Sequence, residues 1–118
     1  MNQQITFQDV GKNYHEARKY MRLNYELICS NVSDHPTWIN PPTLARWLYD
    51  ASREWFDSYT SACKKLIDQL GEGNQLSIEK LAQLGAWRGD LDLKLHDTET
   101  KLMQRYPSDK LLREALAA

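Results

Sequence analysis

At 118 residues, with 42% hydrophobic and 26% charged side chains, the chain has the composition of one globular domain and is too apolar for intrinsic disorder. Fifteen basic residues against sixteen acidic ones leave a formal charge of −1, so no global field draws the chain to nucleic acid or to an anionic membrane. The start, Met1-Asn2-Gln3-Gln4, lacks the basic and apolar regions of a secretory signal, and no apolar run nears the roughly 18 residues that cross a bilayer. The expected compartment is the cytoplasm, with no membrane partner.

Proline and glycine gather around Pro36 to Pro42, at Gly71 to Gly73 and at Pro107, and these are the natural breaks in a chain without repeats or linkers. Helix 1 is expected from Thr6, where Thr6 and Asp9 resemble a capping box with Asp in place of Glu. Phe7, Val10, Tyr14, Ala17, Met21, Tyr25, Ile28 and Val32 then recur at spacings of three and four, the pattern of one helix face. Gly11 is the weak point of that helix. Residues 30–40 read as a loop, with Asn31, Ser33, Asp34 and Pro36 as turn formers and Val32 and Trp38 as apolar residues within it.

Helix 2 opens with Asn40 as N-cap and with Pro41 and Pro42 in the first turn, where no amide donor is needed. Leu44, Leu48, Ala51, Trp55, Tyr59, Ala62, Leu66 and Leu70 make its main stripe, flanked by Trp47 on one side and by Phe56, Cys63 and Ile67 on the other. That apolar arc is wider than the ~100° of a helix with one neighbour, so helix 2 is expected to be the hub. Gly71-Glu72-Gly73 closes it.

Helix 3 is expected from Ser77 to Arg105, with Leu81, Leu84, Trp87, Leu91, Leu95, Thr98, Leu102 and Tyr106 on one side. The stretch Asp90-Leu91-Asp92-Leu93-Lys94-Leu95 also alternates with a strand's period of two. The acid-before-base pairs Asp90–Lys94 and Asp97–Lys101 favour helix, and a lone strand has no partner here. Gly85 and Gly89 leave room for a kink. After Pro107, Ser108 caps a short fourth helix carrying Leu111, Leu112, Ala115 and Leu116. The fold class is therefore all-α, an antiparallel bundle of three long helices plus a short C-terminal helix, in a single domain over residues 1–118.

Candidate chemistry is sparse. In such a hairpin Cys29 sits by the turn and Cys63 by the open end, about 30 Å apart from the 1.5 Å rise, far beyond the ~7 Å between Cα atoms that a disulfide spans. Both are expected to be reduced. Glu54 and Asp57 form an ExxD pattern that resembles the magnesium-binding helices of all-α nucleotide pyrophosphohydrolases. Such a site needs carboxylates converging from two helices, and helix 1 offers only Glu16 and Glu26 with no ExxE. His15, His35 and His96 lack the Glu-x-x-His context of a di-iron bundle. Cys63 has Lys64 and Lys65 next to it, but adjacent helical residues diverge, and no base is positioned for nucleophilic catalysis. The chain reads as non-enzymatic, without metal or cofactor.

What remains after the bundle is built is apolar surface. Tyr20, Leu23 and Leu27 lie on helix 1 more than about 90° from its main stripe. Helix 3 has a second face with Ile78, Ala82, Gly85, Gly89 and Met103, whose small residues let another backbone approach. Tyr20, Leu23, Leu27, Ala82, Gly85 and Gly89 are thus the candidate partner-binding residues, for another protein or for a second copy. The reading is a non-enzymatic protein–protein interaction module: an adaptor, accessory subunit, inhibitor or immunity-type protein. The alternative is a small helical subunit of a nucleic-acid-associated complex that uses Arg18, Lys19 and Arg22, a smaller patch than phosphate-tracking surfaces usually carry.

Overall fold

A computed structural model describes residues 4–30, 41–70 and 76–107. They form three helices, α1 (Phe7–Cys29), α2 (Pro41–Gln69) and α3 (Ile78–Arg105), with no strand among the described residues. At 1.5 Å per residue the helices are ~35 to 44 Å long, within a molecule measuring 54 × 26 × 22 Å.

Local chemistry sets the helix ends. Thr6 caps α1 as a full capping box: the Asp9 amide donates to Thr6 Oγ1 at 3.1 Å, and the Thr6 amide donates to Asp9 Oδ2 at 2.9 Å. These bonds favour the ionised carboxylate and hold the Asp9 carboxyl below its ordinary pKa. α1 has no basic residue in its own last turn. Arg105 supplies one from α3, with Nη1 donating to the Cys29 carbonyl at 2.6 Å, where the helix dipole favours a cation. Ser77 caps α3 by accepting from the Lys80 amide at 3.2 Å.

α2 runs antiparallel to both other helices, as its contacts show. Ile5 pairs with Gln69, Tyr20 with Trp55 and Asn24 with Ser52 across α1 and α2, while Tyr59 meets Leu84 and Tyr49 meets Glu99 across α2 and α3. All three helix pairs touch, and the α1–α2 seam is the most extensive. Helix 2 is therefore not a lone hub. Each helix packs on the other two, which is why α2 needs its wide apolar arc and why α1 and α3 share the same core.

That core comprises Val10, Tyr14, Ala17, Met21 and Ile28 from α1, and Leu84, Leu91, Leu95 and Leu102 from α3. From α2 it takes Ala45, Tyr49, Tyr59 and Leu66. In the first half of α2 the buried line is rotated by about one residue from the expected stripe, with Ala45, Tyr49 and Ser52 buried and Leu44, Leu48, Ala51 and Trp55 half-buried; further on, Tyr59 and Leu66 are buried as the stripe predicts. Partners on the neighbouring helices allow the shift, because Asn24 meets the Ser52 hydroxyl and Glu99 meets that of Tyr49. Ser52 is wholly buried and accepts from Asn24 Nδ2 at 3.1 Å, and Thr98, also wholly buried, donates to the Lys94 carbonyl at 2.8 Å.

Several other expectations change. α1 ends at Cys29, Val32 lies outside the described residues, and Leu81 is exposed rather than core. As expected, α3 is one helix through the alternating 90–95 stretch, and it continues through Gly85 and Gly89. Asp90 turns across to α1 instead of back to Lys94, and Lys94 pairs with Asp97 at 3.8 Å. The expected loop over 31–40, the Asn40 cap, the Gly71–Gly73 stop and the fourth helix from Ser108 lie outside the described residues.

Candidate partner-binding surfaces

α1 presents two rows of side chains on the side away from the core. The apolar row is Tyr20, Leu23 and Leu27, with exposures of 40%, 44% and 47%. It borders α2, where the Tyr20 ring stacks on Trp55 with centroids 5.0 Å apart and planes at 13°. Trp47, two turns before Trp55 on α2, is 52% exposed, and the antiparallel register brings that end of α2 alongside Leu27. Trp55 thus extends the α1 row onto the neighbouring helix.

The second row is cationic. Arg18, Lys19 and Arg22, with His15, Leu23 and Glu26, line a surface cavity of about 340 Å³ among the described residues. Arg18 marks its α3 edge, with Nε 3.5 Å from Asp90 Oδ2. Lys19 Nζ lies 5.5 Å from the Tyr20 ring centroid, a cation–π contact joining the two rows. One surface therefore holds Tyr20, Leu23 and Leu27 together with Arg18, Lys19 and Arg22, two sets that the sequence assigns to rival functions.

The outer side of α3 is different in kind. Ile78 is 85% exposed, and Ala82, Gly85, Gly89 and Met103 are exposed along the same helix. A Cβ placed on Gly85 or Gly89 meets nothing within 4 Å. Neither glycine is required by packing among the described residues. Leu93, 60% exposed, joins this side and was hidden in sequence by its place in an alternating stretch.

Beneath both surfaces, two tyrosines tie α3 to the other helices by a repeated device. Tyr14 on α1 donates to Asp90 Oδ2 at 2.6 Å, and Arg18, one turn on, pairs with the same carboxylate. Tyr49 on α2 donates to Glu99, and Arg53, one turn on, donates to the Tyr49 hydroxyl at 3.3 Å. Burial first, and then the neighbouring carboxylate, push each phenol up to about 12. Tyr59, wholly buried, donates to the Leu84 carbonyl at 2.8 Å, and burial raises its pKa as well.

The groups weighed for catalysis stand apart. Glu54 and Asp57 are both exposed on α2. Cys29 and Cys63 are free thiols, and burial pushes the Cys63 thiol up, opposite to the depressed pKa of a reactive thiolate. Among the described residues, no three His, Cys, Asp or Glu side chains gather as a metal site, and no helix is long and apolar enough to cross a membrane. The chain matches no protein-family model, no curated protein and no solved structure.

Proposed function

We propose that this chain is a non-enzymatic protein–protein interaction module, acting as an adaptor, accessory subunit, inhibitor or immunity-type protein in the cytoplasm. The three helices serve as an antiparallel bundle whose job is to hold a recognition surface rigid. The observation that carries this reading is the outer side of α1, where Tyr20, Leu23 and Leu27 stay 40 to 47% exposed and Tyr20 stacks on Trp55 of α2. Half-exposed aromatic and leucine side chains in one contiguous strip are the composition of an interface centre. The exposed small-residue side of α3 at Ala82, Gly85 and Gly89 is a second candidate contact, suited to close approach of another helix or a second copy.

Leu23→Asp and Gly89→Leu test the two surfaces separately, by solution mass from light scattering and by capture of partners from the cells that make the protein. Leu23→Asp is expected to abolish a specific association that the unaltered chain makes. If neither substitution changes oligomeric mass or captured partners, the module reading fails. The nucleic-acid reading keeps one supporting observation, the convergence of Arg18, Lys19 and Arg22 on one cavity. It predicts a salt-sensitive gel shift.

A further inference from the structure

We infer that the outer side of α3 receives a second copy of this chain, packed antiparallel on itself about a two-fold axis between Asp90 and Leu91. The inference rests on the interaction-module reading and names the partner of its second surface.

At about 100° per residue, one line along α3 from Ile78 to Met103 stays exposed and free of Asp, Glu, Lys and Arg. It runs ~38 Å at 1.5 Å per residue, nearly the whole helix. Its two halves differ in height. Ala82, Gly85 and Gly89 make the first half shallow, with open space where a Cβ would stand on either glycine. Leu93, His96 and Thr100 raise the second half. An antiparallel copy lays each half on the other. The two-fold axis sets Leu93 of one copy over Gly89 of the other, His96 over Gly85, Thr100 over Ala82, and Met103 beside Ile78. A parallel copy would set glycine on glycine and leucine on leucine, hollow at one end and crowded at the other.

The charged flanks obey the same axis. In an antiparallel pair each flank of a helix meets its own counterpart. On the α2 flank this brings Arg88 to Asp92 of the second copy, twice by symmetry, and on the α1 flank it brings Glu79 to Lys101. None of these four makes an ion pair among the described residues of one chain. Their charges sum to zero, as a surface that meets itself requires. The other charged groups of α3 are engaged within their own chain. Asp90, at the axis itself, is turned to Tyr14 and Arg18, and Lys94 pairs with Asp97. Glu99 is held by Tyr49 and His96, Lys80 lies over the Phe7 ring, and Arg105 caps α1.

The test is sedimentation equilibrium of the full chain at rising concentration. The variants are Arg88→Asp, Asp92→Arg, the two combined, Gly89→Leu and, for the α1 surface, Leu23→Asp. All four positions are exposed, and circular dichroism confirms that each variant stays helical. The unaltered chain is expected to be a dimer. Each single reversal sets like charges together at two symmetric places and should weaken dimerisation by about tenfold or more. The combined exchange restores both opposite pairs and should recover the dimer, which damage to the fold cannot imitate. Gly89→Leu should leave a monomer, because the added side chain fills the hollow that Leu93 of the second copy needs. A chain monomeric at every concentration would overturn the inference. So would a dimer unmoved by Gly89→Leu and the single reversals, or losses that the combined exchange fails to restore. A dimer broken only by Leu23→Asp places the contact on α1, so the interaction module stands while its α3 partner falls.

Discussion

Trp87 on α3 lies directly over Gly11 on α1: a Cβ at position 11 would stand 3.0 Å from Trp87 Cη2. The indole is held there by Phe7 and Tyr14, whose rings stack on it at 5.3 and 5.2 Å. Its place in the α1–α3 seam thus depends on the absence of a side chain at Gly11. A glycine that weakens α1 as an isolated helix is what lets the seam close.

Gly11→Val should therefore destabilise the fold by about 1–3 kcal/mol, since the ring stack leaves the indole little room to retreat. Chemical denaturation followed by circular dichroism measures it, and near-ultraviolet dichroism should report a displaced Trp87.

Gly85→Ala and Gly89→Ala should do the reverse. Both glycines lie inside α3 with open space where a Cβ would go, so alanine removes a helix-propensity cost of about 1 kcal/mol at each position without a clash. Each single variant is expected to raise the denaturation midpoint. A partner that needs close approach at α3 would bind such stabilised variants more weakly, which separates fold from function at these sites.

Tyr14→Phe removes the donor to Asp90 and leaves that carboxylate with Arg18, at a cost of about 1 kcal/mol. The pH dependence follows from the raised phenols. Below pH 10 Tyr14 and Tyr49 are neutral in both folded and unfolded chains, and their contribution is complete. Between the ordinary value near 10 and about 12 the unfolded chain ionises first, so stability falls across that window. Alkaline denaturation should steepen there, and Tyr14→Phe/Tyr49→Phe should flatten it.

The helices were legible because each carries a long run of apolar residues at helical spacing and a readable end, as at Thr6 and Ser77. The α3 line of Leu84, Leu91, Leu95, Thr98 and Leu102 is buried as its spacing requires. What pattern alone missed were contacts decided by neighbours. Asp90 and Lys94 stand four apart, yet the Tyr14 hydroxyl, half-shielded from water, offers Asp90 a better partner than an exposed lysine. Likewise Tyr49 and Ser52 are buried because Glu99 and Asn24 meet their hydroxyls, something no residue on α2 announces. Tyr20, Leu23 and Leu27 stood out in sequence as surplus to one helix face. Their adjacency to Lys19 and Arg22 follows from the same helical wheel, but Trp55 joins them only through the α1–α2 register.

The central claim, that the outer side of α1 receives a partner, is tested most directly by a photo-crosslinking amino acid at position 23. The variant is made in the cells that produce the protein, with the same probe at exposed Lys64 as control. A discrete protein adduct from position 23, absent from position 64, is the expected result. No adduct at position 23, or identical adducts from both positions, would contradict it.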